Sequence, residues 1–409
     1  MFTIVKKKAF STVYNCKFIS IYICNMKNDL HLATKFLYHP IKGRYVVLDQ
    51  IDTFLKTFHS AFKIKEIGKS ELGKTISSIT FGQGKTKILI WSQMHGNEST
   101  STKGLIDFLN YCRIEPSFYS FIKEKFMVCV IPMLNPDGAE LYTRENANKV
   151  DLNRDALECT QKESLILRQL VNEFQPDYCF NMHDQRTIFG LIETQKPATM
   201  SFLTAAFDET RTFNETRIKA ANIINGIVKN LNNYIPGQVG RFDDSFNLNC
   251  TGDYFTSIGI PTILFEAGHF QDDYERDEVR KYVFISLLSA FYSINENDIA
   301  TSVLENYLNI FQNNKCFVDI IFKNVKIFEN NVEKNINFAV QYSEFLRENK
   351  IDFEAVIYQI VSETVLFGHQ VYDGKGQLFD SIYGRFPKIG EKANFHIGNK
   401  EFINGKLVG

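Results

Sequence analysis

The sequence is short of the features that would send it to several common classes. It has no close CxxC pair among its eight cysteines, which lie scattered at 16, 24, 112, 129, 159, 179, 250 and 316. Such spacing in a chain of 409 residues argues against a disulfide framework. Reduced thiols fit a cytoplasmic protein, and Cys129 and Cys179 sit inside apolar runs, where a free thiol acts as a small hydrophobe. Net charge is lacking too: the formal value of -1 gives no reason to expect nucleic acid or an anionic membrane as partner. No internal repeat or low-complexity linker interrupts the chain, and its single tryptophan reads as compositional bias.

A membrane-spanning run is also missing. Lys6, Lys7 and Lys8 precede a mildly apolar stretch from Ala9 to Cys24, which superficially resembles a signal peptide. Asn15, Cys16 and Lys17 break it, no small-residue cleavage site closes it, and it is too short and polar to span. The expectation is that Met26 is the true start and residues 1–25 a non-native extension.

What is present is an alternation of apolar strands and amphipathic helices from about Lys85 to Tyr292, the pattern of an α/β sheet. Strands are expected at Lys87–Ser92, Met127–Leu134, Tyr178–Asn181 and Ile260–Phe265. Helices are expected at Ser99–Tyr111, after a capping box of Thr160 and Glu163, at Arg217–Asn233 and at Glu278–Ile294. Beyond Asn295 the texture changes. After a short helical piece at Val303–Phe311, the segments Cys316–Phe322, Ile336–Tyr342 and Phe353–Gln359 alternate with period two, which predicts a small β-rich domain. The chain thus divides at 26–295 and 296–409.

Three of these strands are followed at once by a chemically apt residue: His95 and Glu98, then His183, then Glu266. Sites in open α/β sheets form outside the carboxyl ends of the strands, so four distant residues converge on one edge. His95-Gly-Asn-Glu98 sets an imidazole and a carboxylate three positions apart in a turn entering a helix. Alone, HxxE is a weak signal that fits a surface turn equally well. One further His would complete a His₂Glu set of the kind catalytic zinc uses. Glu266 directly follows a largely apolar strand, where burial without a purpose is expensive. Its bland reading is an ion pair with Arg154 or Arg186; its functional reading is a base whose pKa is raised by an apolar setting. Asn135-Pro-Asp-Gly138 is a turn signature, and beyond it Arg144 and Val150–Asp155 gather guanidinium and amide donors suited to a carboxylate.

Together, His95-x-x-Glu98, Asn135-Pro-Asp-Gly138, Arg144, Asp151-Leu-Asn153-Arg154, His183 and Glu266 resemble the ordered signature of zinc carboxypeptidases similar to carboxypeptidase A, over roughly residues 50 to 295. The resemblance implies a three-layer α/β/α domain around a mixed, mainly parallel sheet. It implies one Zn²⁺ per chain held by His95, Glu98 and His183, with Glu266 activating water there. It further implies that Arg144 polarises the scissile carbonyl and that Asn153 and Arg154 grip a terminal carboxylate. The expected activity is hydrolysis of a C-terminal peptide bond, on a peptide or amide substrate with a free carboxylate. Two rivals stand beside it: a deacylase of N-acyl amino acids of the aspartoacylase or succinylglutamate desuccinylase type, and a non-catalytic peptide-binding protein on the same scaffold. The family's mobile tyrosine has no counterpart in Gly240–Asn249, and none occurs before Tyr254. Asp184 is expected either to support a ligand or to cap a turn, and His269 to be structural.

Overall fold

The computed structural model describes residues 29–296, 301–329, 332–361 and 366–408. The expectation for residues 1–25, with Cys16 and Cys24, lies outside them. The six described cysteines are all free thiols.

Eight strands form the central sheet: β1 (Lys63–Lys69), β2 (Thr75–Gly82), β3 (Thr86–Ser92), β4 (Phe126–Ile131), β5 (Tyr178–Asp184), β6 (Met200–Thr204), β7 (Val239–Arg241) and β8 (Thr262–Ala267). Their order across the sheet is β1-β2-β4-β3-β5-β8-β6-β7. The middle pairings β4–β3, β3–β5 and β5–β8 are parallel, as is β6–β7, whereas β1–β2, β2–β4 and β8–β6 are antiparallel. The sheet is therefore mixed and mainly parallel, as expected.

The period of two in β3 explains the layering. Ile88 and Ile90 face one side, where they pack with Leu105, Phe108, Val283 and Phe291. Leu89 and Trp91 face the other, against Leu167, Val171 and Phe255. Both faces are buried, so the strand reads as a continuous apolar run. Helices α1 (Thr100–Ile114), α2 (Glu215–Leu231) and α3 (Val279–Glu296) build the first layer. The second layer is built by α4 (Thr251–Ser257) and by the helix Lys162–Phe174. The expected capping box before that helix is absent. Asp155 takes the amide and hydroxyl of Thr160 and the amide of Gln161 instead. Glu163, fully buried, accepts from Glu71 and Asn146. Tertiary partners outbid the local motif.

The later part of the chain forms two further β-sheets. In the larger, β9 (Phe317–Glu329), β10 (Val332–Arg347), β11 (Lys350–Val361) and β12 (Phe367–Asp373) run in the order β11-β10-β9-β12. Four short strands between Phe379 and Leu407 make the smaller one. Phe322, Phe338, Phe379, Phe395 and Phe402 fill the space between the two sheets. This aromatic core stands apart from those of the α/β part, with Tyr274 of that part packed against it. Asn314–Lys315, pairing with Phe189–Leu191, and the bond of Gln341 to Thr187 tie the two parts together. Among the described residues, no helix is long and apolar enough to cross a membrane.

Candidate metal centre

Each candidate ligand is delivered by the carboxyl end of a central strand. After β3, Gln93 adopts a left-handed φ of 49° and turns the chain sharply. Its amide donates to the carbonyls of Val46 and Gly96, each at 2.9 Å, which fixes the turn that carries His95 and Glu98. A Cβ at Gly96 would lie 1.9 Å from the backbone of Gly138, so this turn packs directly on the Asn135-Pro-Asp-Gly138 turn. The second turn is itself knotted. Asn135 caps it through Gly138 N at 2.9 Å and donates to the carbonyls of Met94 and Glu145. Asp137 meanwhile accepts from Ser70 and from the amide of Leu72. The motif is more than a surface turn, because it locks the ligand loop against two others.

His183 and Glu266 lie one residue before the ends of β5 and β8 and are register partners in the parallel pairing. Both are buried. The Nδ1 atoms of His95 and His183 face each other at 3.1 Å; Glu98 Oε1 sits 2.8 Å from the first and Oε2 2.8 Å from the second. Among the described residues, these three form the only group of at least three His, Cys, Asp or Glu side chains whose ligand atoms converge within 4.8 Å. Two imidazole nitrogens and a carboxylate aimed at one point are a donor set suited to a borderline-soft divalent cation. Nε2 of His95 meets Asp151 Oδ1 at 2.9 Å. That bond fixes the tautomer that leaves Nδ1 free to ligate.

Charge balance tells the same story. Burial alone would push the Glu98 carboxyl up, but the charge of His95 and the bonds from His183 hold it well below the usual range. Glu266 goes the other way: burial, then the neighbouring charges of Glu98 and Asp184, raise its carboxyl well above the usual range against the pull of Arg144. Neither Arg154 nor Arg186 forms an ion pair with it among the described residues, so the bland explanation for this buried acid falls away.

The remaining candidates gather nearby. Arg144 donates to Glu98 Oε1 at 3.1 Å and to Asp151 Oδ2 at 3.0 Å. Asn153 sits on the helical turn after Asp151, and its side-chain oxygen accepts from Thr251 at 2.9 Å. Arg154 is exposed and donates to the carbonyl of Asn153 and to the Cys250 sulfur. Asp184 caps α1 through the amides of Thr100 and Ser101, at 2.6 and 2.8 Å, while its own amide donates to Glu98. It both caps and supports. Tyr254 lies on α4 beneath the Arg168 guanidinium, 3.9 Å from its ring centre, and so does not stand in for a mobile tyrosine. His269 is buried between Tyr274 and His369. Asp151 carries no assigned role on sequence alone; the signal for it is its place two residues before Asn153, in the donor-rich segment Val150–Asp155.

The fold and this cluster define the class: an α/β sheet protein with a His–Glu–His centre at the carboxyl edge of its parallel strands. The family model for zinc carboxypeptidase matches residues 47–187, a stretch that holds His95, Glu98, Arg144 and His183. Carboxypeptidase 2 of Trichophyton rubrum is 27% identical over 110 residues, covering 26% of this chain and 20% of the relative. The chain thus spans about a fifth of the length of the curated relatives it matches. Among solved structures, carboxypeptidase A from Helicoverpa armigera superposes with a TM-score of 0.50 at 14% identity, over 66% of this chain and 81% of that one. That likeness shows the fold. A metallo-carboxypeptidase from Burkholderia cenocepacia is similar at a TM-score of 0.49 and 17% identity, over 61% of this chain and 70% of its own.

Proposed function

We propose that the protein is a zinc metallocarboxypeptidase that hydrolyses a C-terminal peptide or amide bond, with one Zn²⁺ on His95, Glu98 and His183. The observation that carries this reading is a buried, ion-pair-free Glu266 held in register beside His183, next to three ligand atoms that face one another. Zinc in such a site lowers the pKa of water and polarises a carbonyl oxygen.

The chain's own residues do the rest. Glu266, with its raised affinity for a proton, takes one from the attacking water and returns it to the leaving amine. Arg144 lies where its guanidinium can turn from Glu98 and Asp151 towards the oxygen that gains charge. A single such donor is commonly worth about 3 kcal/mol in the transition state. Arg154, exposed and free of carboxylate partners among the described residues, suits a substrate's terminal carboxylate. Asn153 flanks it, with its side-chain oxygen already engaged by Thr251 and its amide group left to donate. Orientation by this pair would set the scissile bond over the cluster.

Replacing Glu266 by Gln tests the reading, because it keeps size while removing the base. Turnover of C-terminal peptides should vanish while zinc content stays at that of the parent. Substantial residual activity would take Glu266 out of the role. Parallel assays on N-acyl amino acids separate the deacylase alternative, since activity on those alone would displace the peptidase reading. A parent protein that takes up no zinc would favour a binding protein on the same scaffold.

A further inference from the structure

The metal cluster is braced from the other end of the chain. Glu344 lies on β10 of the C-terminal sheet, yet its carboxylate reaches into the α/β part. Its two oxygens receive the Arg44 guanidinium at 3.2 and 2.9 Å, and the second also accepts the Tyr142 hydroxyl at 2.9 Å. Arg44 is buried, with 6% of its surface exposed, so its charge depends on this partner.

Both residues that Glu344 holds belong to segments that fasten the ligand turn. The Arg44 carbonyl accepts the Ser99 hydroxyl at 2.6 Å, one residue beyond Glu98. Two residues along, the Val46 carbonyl accepts from Gln93, the residue that shapes the start of the same turn. Tyr142 is left-handed at φ 54° and closes the short helix of the Asn-Pro-Asp-Gly turn. Its successor Thr143 accepts the amide of Asn97 at 3.1 Å, and Arg144 then donates to Glu98. Two loops therefore meet at Glu98, and one distant carboxylate grips the root of each.

We propose that Glu344 is a positioning residue for the metal centre, setting Glu98 through Arg44 and Arg144 through Tyr142. The inference rests on the metallopeptidase reading of the cluster and deepens it, because it gives the C-terminal sheet a part in the chemistry. A carboxylate that merely glued two regions together would need neither partner to lead back to the ligand turn. Another acid at the same junction supplies the contrast. Asp319 accepts from the Tyr274 hydroxyl, the Tyr342 amide and the Gln341 side chain, none of which bonds to the ligand turn. Tyr274 meets Arg44 only through its backbone carbonyl, at 3.4 Å, a group Asp319 does not touch.

The test uses the full chain with cobalt(II) in place of zinc, whose visible band reports ligand geometry, alongside the zinc protein. Tyr142→Phe and Glu344→Gln should each shift the cobalt band and speed zinc release to a chelator by about tenfold, the lower end for lost support of a ligand. In the zinc enzyme, kcat should fall by about tenfold with KM within twofold, since misplaced groups cost the transition state more than binding. The double variant should do little more than the stronger single one, because both act through one carboxylate. Asp319→Asn should move neither band nor release rate. Unchanged bands and release rates in both Tyr142→Phe and Glu344→Gln would overturn the proposal, as would the same shift in Asp319→Asn. Should Glu344→Gln fail to fold, Tyr142→Phe decides alone, since it removes a single oxygen. A parent inactive on every C-terminal peptide would sink the peptidase reading, while the band and release rate still judge the positioning.

Discussion

Replacing His369 by Gln should flatten the loss of stability in mild acid. The imidazole is stacked on Phe317 at 4.8 Å, lies 4.2 Å from the His269 ring, and bonds through Nε2 to the Thr187 carbonyl at 2.8 Å. Burial is the main cause that lowers its pKa to about 4 from an ordinary 6.5, with the nearby Arg276 charge adding to it and the Thr187 bond opposing. A depressed folded-state value means that the unfolded chain binds the proton first. The contribution is fully present above pH 6.5 and is lost as pH falls through 4. Carrying these two values through the linkage relation, the loss between pH 7.5 and 4.5 is about 2.5 kcal/mol. Asp319, at the same junction and raised to about 6 chiefly by burial, has the opposite sign, so the parent's raw pH profile mixes the two. The difference between parent and variant isolates His369. Glutamine can keep a donor for the Thr187 carbonyl. The assay is urea unfolding at both pH values with equal zinc, supported by hydrogen exchange of β12. A variant that loses as much stability as the parent over this window would refute the reasoning.

Three other outcomes follow from the site. Arg144→Ala should lower kcat by about 10²- to 10³-fold with zinc retained, measured by steady-state kinetics and metal analysis. Asp151→Asn should weaken zinc affinity by about 10- to 100-fold in chelator competition, because the acceptor that orients Nε2 of His95 loses its charge. Asp253, pushed up to about 6 mainly by burial, favours folding when protonated, a contribution present below the ordinary carboxylate value and lost as pH rises through 6. Asp253→Asn should therefore stabilise the protein at pH 8 relative to pH 5, by about 1.4 kcal/mol in paired denaturation curves.

The ligand-bearing strands were legible because their apolar runs are unbroken and end at charged or imidazole groups, a contrast that burial on both faces enforces. β1 was not. Its first four residues are exposed at the sheet margin, so no alternation marks it. β6 and β7 are too short, at five and three residues, to show a period. The convergence of His95, Glu98 and His183 could be argued from strand ends, and the geometry brings all three together. The Arg144–Asp151 pair and the Asp184 cap needed coordinates, because nothing in local spacing says which carboxylate a given donor will meet. Glu344 was beyond reach altogether. A charge pair between residues 300 positions apart leaves no periodic trace in either segment. The failed capping box at Thr160 makes the same point from the opposite side, since a sound local pattern lost to Asp155 and Glu71.

Because Glu266 and His183 are neighbours across one parallel ladder, the spacing between the proposed base and the proposed ligand is a property of hydrogen-bonded backbone rather than of any flexible connection. Loops around the cluster can lengthen, shorten or change their side chains without altering that interval. On the proposed reading, new substrate preferences arise by loop replacement alone, while the geometry for moving the proton is inherited intact.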